Sequence, residues 1–162
     1  MGKLHTENER LYRLNPLSTK LQNNSLLKSF NEFVLFTNVK SLDSWWLKGY
    51  NVTSAFVEIK EFPPNLTTGN DGSCWGIKGS LTIPAKMSKL GGNYVFGNRA
   101  GSGSVTELII KRSTPPSVSI MGQFPSTTKI YVPDEAVSTY KSTSPWSSYA
   151  SRIYPISQYP VT

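Results

Sequence analysis

Four short apolar runs, each followed by proline, recur along this chain, and their spacing narrows the folds open to it. Phe56-Val57-Glu58-Ile59 precedes Pro63-Pro64, and Leu81-Thr82-Ile83 precedes Pro84. Leu108-Ile109-Ile110 precedes Pro115-Pro116, and Ile130-Tyr131-Val132 precedes Pro133. Proline cannot donate to a sheet ladder, so it closes each run as a short strand. The last apolar positions, Ile59, Ile83, Ile110 and Val132, recur at near-equal intervals. Aromatics follow the runs, Trp75 and Phe96 well after theirs and Phe124 closer at hand, with glycines beside them.

One strand of so few residues cannot stabilise itself. An interval in the range of roughly 20–29 residues, with one such strand per repeat, signals a solenoid of stacked parallel strands. Their inward residues then form a continuous ladder. The expected fold is mainly β with short helices: a leucine-rich-repeat-like solenoid with a short parallel sheet. The competing fold is a β-sandwich with irregular strands.

Both ends change character. Leu26, Phe30, Phe33 and Val34 share one helical face, with Ser25 as N-cap, so residues 25–36 predict a helix that closes the open end of the core. At the other end, Asp134 is placed to cap a helix through Lys141, with acids in its first turn. Pro145 suits a first helical position. Trp146, Tyr149 and Ile153 then space as the face of a second helical segment that seals the last repeat. Residues 25–162 thus form one repeat domain, with its C-terminal helical cap from 134. Residues 1–24 form an extended N-terminal attachment arm carrying Leu4, Leu11, Leu14 and Leu17, in which Pro16 interrupts any helical stripe. The alternative for the arm is a disordered terminus.

Composition supports this division. The 162 residues suit one domain, and the apolar fraction of 38% and charged fraction of 17% favour turn-rich β structure over long helices. The net charge is +7. Lys78, Lys86, Lys89, Arg99, Lys111 and Arg112 lie in one stretch against Glu107 alone. They are scattered singly, which favours a soluble basic surface over a nucleic-acid face. The one cysteine, Cys74, excludes an intrachain disulfide and reads as a small buried hydrophobe. Met1 to Glu7 shows no secretory h-region, and no run reaches the length of a transmembrane helix.

Catalytic chemistry finds little purchase. The only histidine, His5, sits in the arm, so Cys74 has no candidate base. Asp134 and Glu135 are accounted for as helix-start residues, Glu58 is out of phase with its apolar neighbours, and Asn70-Asp71-Gly72 is a turn rather than a calcium loop. No metal, cofactor or small-molecule substrate is expected, and the chain is expected not to be an enzyme. Binding is the remaining task. Candidate contacts are the rings of Trp45, Trp46, Tyr50 and Tyr94, which can stack on sugars or anchor a protein, with charge from Lys86, Lys89 and Arg99. For each ring the competing role is core filling. Adjacent tryptophans on a strand cannot both point inward, which makes one of Trp45 and Trp46 the best candidate for exposure.

The stretch Lys129-Ile130-Tyr131-Val132-Pro133-Asp134-Glu135-Ala136-Val137-Ser138-Thr139-Tyr140-Lys141, followed by Trp146-Ser147-Ser148-Tyr149-Ala150 and Ile153-Tyr154-Pro155-Ile156, resembles the ending of BspA-like leucine-rich repeat proteins. Ser29-Phe30-Asn31-Glu32-Phe33 is similar to the segment that opens such repeats. The likeness covers roughly residues 26–156. It implies a right-handed coil, no catalytic residues, and a role in adhesion to protein or glycan. Members are bacterial surface adhesins, and short versions occur in phages of gut Bacteroidetes. Virion attachment is therefore the expected setting, with the arm docking onto the particle, and a bacterial cell-surface adhesion domain is the alternative. Open solenoid edges leave room for self-association.

Overall fold

The computed structural model describes residues 20–21, 37–45, 57–96, 104–122 and 125–160. The helix expected over 25–36 and the arm leucines Leu4, Leu11, Leu14 and Leu17 lie outside them. Short strands organise the described residues: β1 (Lys20–Leu21), β2 (Ser41–Leu42), β3 (Val57–Glu58), β4 (Ile77–Ile83), β5 (Lys89–Gly91), β6 (Ser104–Ile110), β7 (Ser117–Val118), β8 (Lys129–Val132) and β9 (Ile153–Pro155). An α-helix, α1 (Val137–Ser142), stands between 3-10 segments at Asp134–Ala136 and Trp146–Arg152, and a further 3-10 turn spans Ile156–Gln158.

All strand pairing among the described residues is parallel. The larger sheet runs β3-β4-β6-β8-β9, in chain order, and the chain returns to a second ladder between its strands. That ladder pairs β1 with β2 and β5 with β7, and Thr68 bridges Ser41 to Lys89 between them. Lys20 and Leu21 pair with Ser41 and Leu42 of β2. In the larger sheet Glu61 pairs with Thr82, Thr82 with Ile109, Ile109 with Tyr131 and Tyr131 with Tyr154. Each of these steps advances the chain by a similar length. Parallel strands need a long crossover connection, which each return pass supplies.

Alternation then sorts the side chains. Leu81, Leu108, Ile130 and Ile153 pair in one inward row, and all are buried. Ile83 pairs with Ile110 in a second inward row, and both are fully buried. The return passes add Leu42, Leu66, Met87, Leu90, Phe96 and Met121 to the same core. Each fully buried side chain of this size contributes about 1.5–3 kcal/mol against its exposed form, so the rows offset the ordering of strands too short to persist alone.

The register corrects three sequence expectations. Ile59 is buried, but the residue beside Ile83 is Phe62, whose amide donates to the Thr82 carbonyl at 3.0 Å. Pro63 follows Phe62 as Pro84 follows Ile83, so proline sets the phase of this rung and the apolar run upstream does not. Ile153 is not on a helical face: it is the first residue of β9 and pairs with Ile130. Asp134 makes no helix cap. The segment begins at Pro133 with no side-chain capping bond, and the Asp134 carboxylate instead accepts the amide of Ser157 at 3.1 Å. The C-terminal seal itself is present. Trp146 is buried, its indole donates to the Pro116 carbonyl at 3.1 Å, and it meets the buried Tyr140 ring edge-on at 5.4 Å. Tyr149 is half-buried against the core.

Candidate recognition surfaces

Two surfaces bring aromatic and polar groups together, and the first carries two of the candidate rings, Trp45 and Tyr94. It follows the turn after the second ladder. Trp45 donates its amide to the Asp71 carbonyl, and Gly72 donates its own to the Asn93 carbonyl, at 2.8 and 3.0 Å. These bonds stack Trp45, Gly72 and Tyr94 at equivalent points of three successive passes. All three have left-handed backbone, with φ of 53°, 61° and 48°. Glycine adopts this conformation freely, but tryptophan and tyrosine do so at a cost. The absent Gly72 side chain leaves room for the Trp45 ring, which a Cβ at that point would overlap. Trp45 also meets the Trp75 ring edge-on at 6.1 Å.

Tyr94 is 41% exposed and Ile120 is 45% exposed. The Ile120 amide bonds the Gly92 carbonyl and its own carbonyl accepts the Val95 amide, which sets it beside Tyr94 on the next pass. Backbone pairing therefore places Trp45, Tyr94 and Ile120 along one ridge with Asn93 exposed on it, and Trp75 meets Trp45 while packing against the core. The Asp71 carboxylate accepts the Asn93 amide at 2.7 Å and fixes that turn.

Of the sequence-derived candidates, Trp45 is half-buried on this ridge and Tyr94 is exposed on it. Lys86 is exposed in the turn after β4, where its ammonium donates to the Asn65 side chain at 2.6 Å. Lys89 is exposed on β5. Trp46, Tyr50 and Arg99 lie outside the described residues. Trp75, which the sequence marks as an aromatic of the repeat, packs against the core, and Ile120, which stands in a stretch without periodicity, is exposed on the ridge.

The second surface is the outer face of the larger sheet. Alternation turns Ser80, Thr82, Glu107, Ile109, Tyr131 and Tyr154 away from the core. The Tyr159 ring lies over this face, edge-on to Tyr131 at 4.9 Å, and Tyr131 in turn neighbours Tyr154 at 5.9 Å. The Tyr159 hydroxyl donates to the Glu107 carboxylate at 3.1 Å, so it accepts from the Ser80 hydroxyl at 3.2 Å. Burial, then the charge of Glu107, raises the Tyr131 phenol above its ordinary value. Further along the face Lys111 and Glu61 form an ion pair at 2.6 Å, on residues exposed enough for it to contribute little.

Cys74 is buried, and burial pushes its thiol up to about 12, which keeps it neutral at physiological pH. No cluster of metal-ligating side chains occurs among the described residues, and no helix there is long and apolar enough to cross a membrane. No family model matches the chain, and no curated protein is significantly similar to it.

Proposed function

We propose that this chain is a non-enzymatic recognition module, built as a right-handed, degenerate solenoid of the leucine-rich-repeat type. Parallel strands that succeed one another in chain order, at near-constant steps along the sequence, support that architecture. The observation that carries the function is the ridge. Two bulky rings, Trp45 and Tyr94, occupy left-handed backbone at stacked positions, and Tyr94 is exposed. Backbone strain of this kind is retained where the placement of a side chain matters more than its cost. Flat rings beside the exposed Asn93 suit a surface glycan or an extended protein segment on a host cell. The phage-particle setting rests on the resemblance of the C-terminal sequence to short repeat proteins of such viruses. A bacterial surface adhesion domain would use the same ridge.

The test applies purified protein to intact host bacteria and to their extracted surface polysaccharide and protein fractions. Retention on one fraction is expected. The Trp45→Ala/Tyr94→Ala double variant, with an unchanged circular dichroism spectrum, should lose about tenfold or more in affinity. Equal retention of wild type and variant would discard the ridge, and no retention on any fraction would discard recognition altogether. Mass spectrometry of purified particles separates the settings: absence of the protein there removes the virion reading and leaves the adhesion domain.

A further inference from the structure

The outer face of the larger sheet is independent of the ridge, and its occupant comes from the chain itself. We propose that this face is a second recognition site, that it binds a tyrosine side chain carried on an extended peptide segment of a partner protein, and that the C-terminal segment Ile156–Pro160 holds it closed by supplying Tyr159 as a resident mimic.

Three adjacent strands build the site. Ser80 of β4 pairs in register with Glu107 of β6, and Ile109 of β6 pairs with Tyr131 of β8. Together they present what a phenol requires. Glu107 accepts the hydroxyl proton, Ser80 donates to the hydroxyl oxygen, and Tyr131 offers an edge-on ring. A phenylalanine ring would satisfy only the last of these. An anionic group would meet the Glu107 carboxylate and an apolar floor. The chemistry thus favours a hydroxylated aromatic over phenylalanine or an acidic side chain.

The face is apolar enough to need a cover. Ile109 and Tyr131 point outward yet are only 5% and 3% exposed. An outward isoleucine on a solvated sheet face would be largely open. Tyr159 lies across this part of the face, against Tyr131.

The segment is also held from outside the core. Its 3-10 turn contains no buried residue, and Ser157, Gln158 and Pro160 are exposed. Asp134 holds it through the Ser157 amide and side chain and the Ile156 amide, and Tyr159 adds its ring and hydroxyl. A segment with few buried contacts opens far more readily than the strands beneath it. A partner tyrosine that reproduces the Tyr159 contacts can therefore take its place without disturbing the inward rows.

The experiment empties the site in the full-length chain. The probe is a fluorescent synthetic peptide of sequence Pro-Ile-Ser-Gln-Tyr-Pro, matching residues 155–160. The Tyr159→Ala variant should bind it at least about tenfold more tightly than the wild type, whose site is occupied. A peptide with phenylalanine in place of its tyrosine should bind the variant about tenfold more weakly, and Glu107→Gln in the Tyr159→Ala background should weaken the tyrosine peptide alone. Equal binding by wild type and Tyr159→Ala, or no binding by a Tyr159→Ala protein with an unchanged melting transition, overturns the proposal. If Tyr159→Ala does not fold, Tyr159→Phe decides. That variant keeps the ring and frees Glu107 and Ser80, so it should bind the peptide several-fold better than the wild type, and failure to do so overturns the proposal equally.

Discussion

Ile83 and Ile110 stand side by side in parallel register, one full turn of the chain apart, and both are fully buried. Residues 84–110 thus make one complete turn through the second ladder and back. If the architecture is repetitive, that turn is removable. Deleting 84–110 joins Ile83 to Lys111 and sets β8 beside β4, with inward residues still facing inward. Such a variant should unfold in one cooperative transition at reduced stability. Deleting 84–109 shifts the phase by a single position and turns the inward row of everything downstream toward solvent. It should lose that transition altogether. Circular dichroism and urea titration of the two deletions make the comparison.

Trp146 is buried at the C-terminal end of the core, on the pass that leads into the last strand, β9. Its ring meets Tyr140, and its indole nitrogen satisfies the Pro116 carbonyl. Trp146→Ala should therefore cost about 3–5 kcal/mol, in the range for truncating a fully buried large aromatic. Trp146→Phe keeps most of the ring but leaves the Pro116 carbonyl without its donor, and should cost about 1–3 kcal/mol. Denaturant midpoints measure both. A loss below about 1 kcal/mol for the alanine variant would show that the last rung does not depend on its seal.

Much of this order is legible in the sequence because proline marks the strand ends. Pro63, Pro84 and Pro133 each follow a buried inward residue, and the stretches between them hold the return passes. The phase of the first rung is harder to read. Ile59 and Phe62 are both buried and apolar, and only the pairing of Glu61 with Thr82 separates them. The last rung is hidden for a different reason. Ile153 follows Trp146 and Tyr149 at helical spacing, and it becomes a strand residue because Ile130 offers a free edge. Hydrogen bonds to a neighbouring strand outweigh a weak local periodicity. The Tyr159 site leaves no sequence mark at all. It joins side chains 52 and 79 positions apart, and the tail that carries it is short and polar. The ridge is partly visible. Adjacent tryptophans signal that one must leave the core, but nothing in the sequence sets Trp45 over Gly72.

The contact between Trp45 and Gly72 predicts a coupled pair of substitutions. Gly72→Ala places a Cβ on left-handed backbone, at about 1–2 kcal/mol, and drives it into the Trp45 ring. The Trp45 ring must then leave Trp75, and tryptophan emission should shift to longer wavelength. In a Trp45→Ala background the steric part disappears and only the backbone part remains. Gly72→Ala should accordingly cost less there than in the wild type, by about 0.5 kcal/mol or more. Urea titration of the four proteins in the cycle gives the coupling, and strict additivity would place the ring elsewhere.

Alkaline pH should weaken this protein through groups that folding keeps protonated. Burial raises Cys74 from its ordinary 9.0 to about 12, and burial likewise raises Tyr140 and Tyr131 above their ordinary 10.0. Each of these groups is neutral when protonated, and the folded state holds its proton more tightly than the unfolded chain does. Below pH 9 both states are protonated, so their contribution to stability is complete and flat. Above pH 9 the unfolded chain releases the Cys74 proton while the folded chain keeps it, and stability falls with each further step in pH. The tyrosines steepen the fall above pH 10. Cys74→Ala removes a buried sulfur and should lower stability at pH 7, but it should also flatten the stretch between pH 9 and 10. Unfolding free energies from pH 7 to 10.5 test this directly. A wild-type curve that stays level through pH 10, or a Cys74→Ala curve parallel to it, would mean that the thiol reaches solvent in the folded protein.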